Sequence, residues 1–370
     1  MAEFIILAAA ALAIIVYISI LLFLITGLLR RKPEKCDRHP TVSVVIAARN
    51  EEQNIGRCLR ALTQQSYSRA LMQIVVVDDR STDHTSDFLN EYQSVHPDLF
   101  TIVKVSNTPD NTSPKKFALS LGIAQARGEI MFTTDADCAP PPKWIAETVP
   151  LFREQVGVVI GLAPFEHNGK LWHELLALDN CASALVAAGA ASWGVGVTCT
   201  GRNLAYRKKV FVEVNGFSSI NHSLSGDDDL FLQQVKKQTN WHIAFSLNPD
   251  TAVYSQAAKN FSAYVAQRRR HISAAKYFSR PLQLAYFLFN LSNLALYFFL
   301  FWGCFEPSFL LFGVSFFSLK WLLDFVALFL ITRRLQQSKL LRLLPLWEIF
   351  FVLNHAFISP LGLIGKIKWK

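Results

Sequence analysis

A chain of 370 residues, 51% apolar and only 18% charged, has room for one sizeable globular domain and several membrane spans, and is too apolar for an ordinary soluble enzyme. Its net charge of +9 comes largely from Lys and Arg clusters beside apolar segments, which argues against a nucleic-acid-binding protein. The six cysteines form no CxxC pair and no His/Cys ligand spacing, so no zinc site is predicted.

An apolar run over residues 4–29 opens the chain and is long enough to cross a bilayer, which takes about 20 helical residues. A secretory signal peptide carries its basic residues before a shorter apolar core. Here the basic residues follow the run: Arg30, Arg31, Lys32, Lys35 and Arg38. We therefore predict that residues 1–30 form a transmembrane anchor, with the basic cluster and the domain after it on the cytoplasmic side.

Between residues 40 and 280, short apolar strands alternate with stretches of helical spacing. The predicted strands lie at 42–47, 73–77, 101–105 and 130–134. Continuous apolar strands separated by helices are typical of a mostly parallel sheet covered on both faces. In such sheets, ligands bind beyond the carboxyl ends of the strands. The sequence therefore predicts an α/β domain over residues 40–280 whose site lies at that edge.

Residues 281–370 are predicted to return the chain to the membrane, with spans at about 282–305 and 309–331. The stretch 343–364 contains two prolines, Glu348 and His355, and we predict an interfacial or re-entrant segment there. That assignment keeps three C-terminal lysines inside: Lys366, Lys368 and Lys370. The Ala- and Gly-rich stretch 175–200 is predicted as a buried or interfacial helix and loop, because it contains Asp179 and Asn180.

Lys320 and Asp324 lie four residues apart inside the third span and share a helix face. Charges inside a membrane are candidates for function, here a contact to a lipid head group or a diphosphate. The alternative is a self-neutralising pair that faces other helices, and we favour it because each charge has a local partner.

Two acidic clusters follow predicted strands. Asp78 and Asp79 can accept hydrogen bonds from a base or a ribose, or can cap a helix. Asp135 and Asp137 follow the fourth strand. Residues two apart in extended chain point the same way, so both carboxylates can face one cation. Oxygen ligands suit Mg²⁺ or Mn²⁺, with a diphosphate completing the shell.

Two further charged clusters lie nearer the membrane region. Three consecutive acids open a polar helix, and neighbouring carboxylates raise one another's pKa, which suits a general base: Asp227, Asp228 and Asp229. A basic segment follows at Gln267, Arg268, Arg269, Arg270 and His271. It is either a lipid-facing patch or a set of cations that neutralises a leaving diphosphate.

In order and spacing, these motifs resemble the family 2 glycosyltransferases, in the membrane-bound branch that includes cellulose, hyaluronan and ceramide glucosyl transferases. The resemblance covers about residues 42–271 and implies the GT-A fold, a Rossmann-like, mostly parallel sheet with N- and C-terminal transmembrane helices. It implies that Asp135 and Asp137 hold the metal. The residues that it implies for nucleotide-sugar binding are Ala48, Asn50, Glu51, Asp78, Asp79, Lys115, Lys116, Asp135, Gly201 and Asn203.

The same resemblance assigns roles to the other two clusters. Asp228 or Asp229 matches the general base, and a different alignment would give Asp227 that role. Arg270 is implied as catalytic, and its neighbours as contacts to acceptor and diphosphate: Gln267, Arg268, Arg269 and His271. His271 stands where the family has tryptophan, which favours transfer of one sugar over polymerisation.

The expected activity is inverting, metal-dependent transfer of a hexose from a nucleotide-diphospho-sugar, with a UDP-sugar as the first expectation. The expected acceptor is a membrane lipid, and the expected location is the cytoplasmic face of the cell inner (plasma) membrane. Two alternatives are a processive polysaccharide synthase and a non-catalytic membrane protein that binds nucleotide.

Overall fold

The computed structural model describes residues 2–30 and 35–364. Five predicted basic residues lie outside the described residues: Arg31, Lys32, Lys366, Lys368 and Lys370. The described chain contains a sheet domain and a group of long apolar helices. One of these helices precedes the sheet domain in the sequence, and the C-terminal helices follow it.

The sheet has seven strands in the order β3-β2-β1-β4-β7-β5-β8, and β7 is antiparallel to both of its neighbours. The other pairings are parallel, which confirms the predicted mostly parallel sheet. A separate parallel pair joins β6 and β9. The strand bounds are β1 Val42–Ala48, β2 Met72–Asp78, β3 Phe100–Lys104, β4 Ile130–Thr133, β5 Val156–Gly161, β6 Phe165–Glu166, β7 Leu204–Arg207, β8 His242–Ser246 and β9 Ser255–Gln256.

Helices cover both faces of this sheet, since its central strands are buried throughout. Hydrophobic core therefore forms on either side of β1, where Val44 and Ile46 face one side and Val45 the other. The helices of the domain are α2 Ile55–Thr63, α3 Thr85–Val95, α4 Pro114–Gln125, α5 Trp144–Thr148, α6 Leu171–Ser192, α7 Lys208–Glu213, α8 Asp229–Gln238 and α9 Phe261–Ile272. The remaining helices are α1 Ala2–Leu29, α10 Arg280–Gly303, α11 Pro307–Arg334, α12 Leu344–Leu353 and α13 Ser359–Leu361.

Five stretches of the described chain are helical, long and apolar enough to cross a membrane: Ile6–Leu29, Leu171–Ser192, Arg280–Gly303, Pro307–Arg334 and Ser338–Leu361. The second, α6, differs from the others because protein encloses most of it, as predicted from its polar residues. It lies between the sheet and the apolar helices and contacts β8 on one side and α1 on the other. The last stretch is broken by a π-helical turn at Asn354–Ile358, and whether it crosses the membrane stays a prediction.

Lys320 and Asp324 do form an ion pair, with 2.8 Å between Nζ and Oδ2. The pair belongs to a larger buried cluster, because Lys320 Nζ also lies 2.5 Å from Glu348 Oε2 on α12. The hydroxyl of Tyr17 on α1 donates to Asp324 at 2.6 Å, and that of Tyr297 on α10 donates to Glu348 at 2.8 Å. This five-residue polar cluster therefore connects four helices.

Candidate active site

Several predicted site residues of the sheet domain lie at the carboxyl ends of β1, β2 and β4, on the edge of the sheet that is called the cleft below. The loops after β1 and β2 are joined there: the Asp79 amide donates to the Ala48 carbonyl at 2.8 Å, and Asn50 Oδ1 accepts from the Thr82 amide at 2.8 Å. Asn50 has φ of +53°, a conformation that asparagine tolerates better than most residues. Glu51 accepts a hydrogen bond from the Asn54 side chain at 2.9 Å.

Asp78 and Asp79 are both buried but have different surroundings. Asp78 accepts hydrogen bonds from the Ser81 amide at 3.0 Å and from the Ser86 hydroxyl, so it stabilises the turn after β2. Asp79 pairs with its neighbour Arg80 at 2.8 Å. Of the two carboxylates, only that of Asp78 accepts a hydrogen bond from a backbone amide among the described residues. The carboxylate of Asp79 therefore keeps more acceptor capacity for a nucleoside.

Lys115, at the start of α4, joins two of the acidic clusters. Its ammonium lies 3.0 Å from Asp135 Oδ1 and 2.9 Å from Asp227 Oδ2. Burial alone would lower the pKa of Lys115, but the carboxylates of Asp135, Asp227 and Asp228 raise it above its usual value. Residues far apart in sequence thus face one another across one cleft.

The two acids after β4 suit a divalent cation. Asp135 is half-buried and Asp137 exposed, and the Lys115 ammonium already places a positive charge against Asp135. No group of three His, Cys, Asp or Glu side chains that could hold a metal occurs in residues 2–30 and 35–364. A magnesium ion bound through one or two carboxylates and substrate phosphates needs no such group. The donor set therefore fits a metal that arrives with a diphosphate.

The negative charges of Asp135 and Asp137 affect the pKa of two buried thiols, those of Cys58 and Cys138. Burial, and then the charges of Asp135 and Asp137, raise the pKa of both Cys58 and Cys138. The Cys138 thiol lies 3.5 Å from Asp137 Oδ1 and can donate to it. Both cysteines therefore stay protonated and act as small buried side chains.

The three consecutive acids have different hydrogen-bond and ion-pair partners. Asp228 caps α8, because its carboxylate accepts from the Asp229 amide at 2.7 Å and from the Gly201 amide at 2.9 Å. Asp229 accepts from the Thr198 hydroxyl at 2.9 Å and the Cys199 amide at 2.8 Å. Asp227 pairs with Lys115 across the cleft. Two of the three carboxylates therefore hold the loop before β7 in place, and the third faces the cleft.

The pKa directions agree with this division. Burial and the charge of Asp227 raise the pKa of Asp228, and burial with the charge of Asp228 raises that of Asp229. Burial would also raise the pKa of Asp227, but Lys115 lowers it below its usual range. Among the three, Asp227 is therefore the carboxylate whose ionised form is favoured, and its lowered pKa differs from the raised pKa that the sequence predicts for a base.

Lys116 and Asn203 lie beneath the cleft surface. The Lys116 ammonium donates to the Ser223 and Ser225 carbonyls at 2.6 and 2.8 Å, and burial lowers its pKa to about 8. The Asn203 amide donates to two backbone carbonyls and accepts from Trp144 Nε1 at 2.8 Å. These contacts support the loops that carry the acids, and a direct role in nucleotide-sugar binding stays a prediction for both residues.

The side chains of the basic segment contact different parts of the chain. Arg268 lies 3.8 Å from Asp179 on α6, and Arg269 donates to the Leu361 carbonyl at 3.2 Å. His271 keeps part of its surface in solvent. Burial of the remainder, and then the positive charges of Arg270, Arg268, Arg202 and Lys115, lower its pKa to about 3. His271 is therefore neutral at pH 7, and Gln267, four residues earlier, lies on the same helix face.

The sequence of residues 43–223 matches the model of glycosyl transferase family 2. The chain contains a family 2 glycosyltransferase domain. This confirms the family resemblance, and the sheet order confirms the expected fold class.

Relatives of the chain are glycosyltransferases. It is 27% identical over 279 residues to the probable glycosyltransferase YdaM of Bacillus subtilis, a match that covers 74% of this chain and 64% of the relative. It is 31% identical over 114 residues to a beta-monoglucosyldiacylglycerol synthase of Synechocystis, covering 31% of this chain and 23% of the relative. The chain thus spans less than two thirds of the length of these curated relatives.

A solved structure shares the fold. The mannosyltransferase PcManGT from Pyrobaculum calidifontis, solved in complex with GDP-Man and Mn²⁺, superimposes with a TM-score of 0.59 at 18% identity. The alignment covers 93% of this chain and 98% of the mannosyltransferase. The likeness extends beyond the family 2 domain into the apolar helices.

Sequence reasoning gave no individual role to two residues near these acids, Arg202 and Thr198. The Arg202 guanidinium donates to the Ala163 carbonyl at 2.5 Å, covers the Phe165 ring at 4.9 Å and contributes to the lowered pKa of His271. Thr198 holds Asp229 through its hydroxyl. Arg202 lies inside the predicted motif around Gly201, which was the available signal, whereas nothing in the sequence sets Thr198 apart from neighbouring small residues.

Proposed function

We propose that this chain is an inverting glycosyltransferase that moves one sugar from a nucleotide-diphospho-sugar to a hydroxyl group of a membrane lipid. A UDP-sugar is the expected donor. The observation that carries the proposal is the position of Lys115, which joins Asp135 of one acidic cluster to Asp227 of another inside one cleft. A displacement reaction needs its leaving group and its base within one substrate's length of each other.

The donor would lie across the loops after β1, β2 and β4. Asp79 is proposed to bind the nucleoside, because its carboxylate lies at the end of a strand and pairs only with the adjacent Arg80 among the contacts shown by the described residues. Asp135 and Asp137 would hold Mg²⁺ or Mn²⁺, which supplies positive charge for a departing diphosphate. Lys115 adds a second positive charge on the same side of the cleft.

Asp227 is proposed as the general base. It takes the proton of the acceptor hydroxyl as the acceptor oxygen bonds to the anomeric carbon of the sugar. The bond from that carbon to the diphosphate oxygen breaks on the opposite face, so the configuration inverts in one displacement. Asp227 suits this role because it is ionised and faces the cleft, whereas the carboxylates of Asp228 and Asp229 are held by backbone amides.

Gln267, Arg270 and His271 are proposed to contact the departing diphosphate from α9. Arg270 and His271 follow Gln267 by three and four residues on one helix, and the positive charges that act on His271 include that of Lys115, which supports a position beside the proposed site. The neutral imidazole can donate one hydrogen bond, while Arg270 adds charge.

A lipid acceptor is supported by the position of the site between the sheet domain and the apolar helices. Ser279, just before α10, donates from its amide to Gln233 on α8 at 3.0 Å, and α8 begins at the three acids. A hydrogen bond therefore joins the start of an apolar helix to the helix that begins two residues after the proposed base. By the distribution of basic residues, we propose the cytoplasmic face of the inner membrane as the location.

The test is nucleotide release from a panel of nucleotide-sugars by the purified full chain in lipid extract, with Mn²⁺, Mg²⁺ or a chelator. We expect metal-dependent release of one nucleotide and an inverted anomeric centre in the product. Asp137→Ala should lower release at least ~100-fold if the metal is lost. The matched control is Asp98→Ala, because Asp98 is exposed and lies just before β3, at the opposite edge of the sheet from the cleft.

Three results would contradict the proposal separately. Nucleotide release that persists in the chelator would contradict a role for the metal. Retention of the anomeric configuration in the product would contradict a single displacement. Absence of release with every donor, from protein that melts cooperatively, would leave the chain without the proposed activity.

A further inference from the structure

A cavity of about 50 Å³ lies between α6 and the carboxyl end of β5, next to the proposed active site. The loop of Thr198, Cys199 and Thr200 closes its third side. A single water needs about 10–15 Å³ on this scale, so the space holds a fragment of about three or four heavy atoms.

The wall that α6 supplies is one face of the helix. Asn180, Ser183, Ala184 and Ala187 line the cavity and are spaced three, four and seven residues apart. Within residues 2–30 and 35–364, the Asn180 amide makes no side-chain hydrogen bond, although it is half-buried. The Ser183 hydroxyl donates only to its own helix, to the Asp179 carbonyl at 3.3 Å, and keeps its acceptor capacity.

None of the residues that line this cavity is charged. An anionic group placed there would lose part of its hydration without gaining a cation from the lining residues, which costs free energy. An alcohol would lose less, because amide and hydroxyl groups are present to replace its hydrogen bonds to water. The cavity therefore selects by chemistry for a neutral, hydroxyl-bearing fragment.

One loop borders both the cavity and the proposed base. Thr198 and Cys199 line the cavity and hold Asp229, and Gly201 follows Thr200 directly. A methyl group built on Gly201 would lie 3.2 Å from Asp227 Oδ2, so the glycine leaves room beside that carboxylate. The loop therefore runs from the wall of the cavity to the neighbourhood of Asp227.

We propose that this cavity receives the hydroxyl-bearing end of the head of the acceptor lipid, and that the acceptor is a neutral lipid alcohol, not a lipid phosphate. Asn180 and Thr200 are the residues that hydrogen-bond the head and set specificity. The inference rests on the proposed function and names the substrate class of the same site.

The experiment compares nucleotide release by the full chain in vesicles of neutral phospholipid that contain no further lipid, dioleoylglycerol or a polyprenyl phosphate. We expect dioleoylglycerol to stimulate release at least tenfold over acceptor-free vesicles, and polyprenyl phosphate to leave it within twofold. Ala184→Leu, which fills the cavity, should reduce the stimulation ratio at least tenfold. Ala182→Leu is the matched control, because Ala182 lies on the same helix outside the cavity lining, and its ratio should stay within twofold of wild type.

Asn180→Leu keeps the side-chain volume and removes the amide, so it tests specificity even if the larger substitution disturbs folding. It should raise the KM for dioleoylglycerol about tenfold while the KM for the nucleotide-sugar stays unchanged. Stimulation by polyprenyl phosphate instead of dioleoylglycerol, stimulation by neither lipid, or an unchanged ratio in both Ala184→Leu and Asn180→Leu would overturn the inference. Absence of nucleotide release in every vesicle would instead refute the proposed function, and this inference with it.

Discussion

At the scale of single residues, position in the fold separates acids that are indistinguishable in sequence. Asp227, Asp228 and Asp229 are identical side chains in a row, and the sequence left the base open among them. The structure gives Asp228 two backbone donors and Asp229 a backbone and a hydroxyl donor, while Asp227 faces Lys115. The difference arises because α8 begins at this point and needs a cap.

This division gives a prediction for activity and stability. Asp227→Asn should lower the transfer rate at least ~100-fold, the range for loss of a general base, and leave the melting temperature in detergent nearly unchanged. Asp228→Ala should lower the melting temperature, because losing a helix cap costs about 1 kcal/mol. Transfer that survives Asp227→Asn but is abolished by Asp229→Asn, in protein of normal stability, would reassign the base.

His271 gives a prediction for the pH dependence of stability. Its pKa is about 3 in the folded chain against an ordinary value of 6.5, so the unfolded chain takes up a proton first as the pH falls. The stabilising contribution is complete above pH 6.5 and is lost as the pH falls toward 3. The melting temperature of wild type relative to His271→Gln should therefore decrease between pH 7.5 and pH 5. The same comparison with His167→Gln, an exposed histidine, is the control, and an equal change in both variants would contradict the assignment.

At the scale of elements, strands were easier to predict than helix starts. The strand at 73–77 was predicted to within one residue at each end, because a buried run of branched residues has sharp limits. The helix after it begins at Thr85, although Ser81, Thr82 and Asp83 are all residue types that commonly cap helices. Asp83 accepts hydrogen bonds from the Thr85 amide and from the Glu52 amide of the neighbouring loop. A contact between two loops thus uses a residue that resembles a cap.

Two glycines let α1 and α6 cross in backbone contact. A methyl group on Gly27 would lie 2.1 Å from the Gly189 carbonyl oxygen, and one on Gly189 would lie 2.5 Å from the Leu24 carbonyl oxygen. Backbone atoms cannot move aside as a side chain does, so Gly27→Ala should separate the helices and lower the melting temperature in detergent by several degrees, the equivalent of about 1–3 kcal/mol.

The control for this prediction is Gly56→Ala on α2, where a methyl group meets nothing closer than 3.8 Å. Alanine is the better helix former, so this variant should be as stable as wild type or more stable. Equal melting temperatures for Gly27→Ala and wild type would mean that α1 and α6 do not cross this closely.

At the scale of the whole molecule, the buried polar cluster decides how the apolar helices assemble. Lys320, Asp324 and Glu348 come from α11 and α12, and Tyr17 and Tyr297 bring in α1 and α10. Apolar side chains alone give little orientation to helices in a lipid environment, whereas a buried ammonium between two carboxylates has one satisfactory arrangement. The sequence predicted the local pair but not the third charge, because Glu348 lies 28 residues away.

Lys320→Met should therefore be strongly destabilising, by about 3–5 kcal/mol, since it leaves two buried carboxylates without a cation. The triple variant Lys320→Met, Asp324→Asn, Glu348→Gln should recover much of the loss in melting temperature, because the uncompensated charges are gone. If Lys320→Met melts like wild type but no longer transfers sugar, the cluster serves the reaction and not the assembly, as the alternative of a head-group contact requires.

The sequence by itself determined the class of fold, the family and the acidic motifs, because these depend on local patterns: buried runs, helical spacing and acids at strand ends. Only the tertiary structure decided which acid faces the cleft, that Lys115 joins two motifs 92 residues apart, and that Lys116 and Asn203 lie beneath the surface. It also decided that α6, which the sequence already predicted to be buried or interfacial, borders an uncharged cavity. The physical reason is that a side chain's role follows from its partners, and these partners come from distant segments that the sheet and the apolar helices bring together.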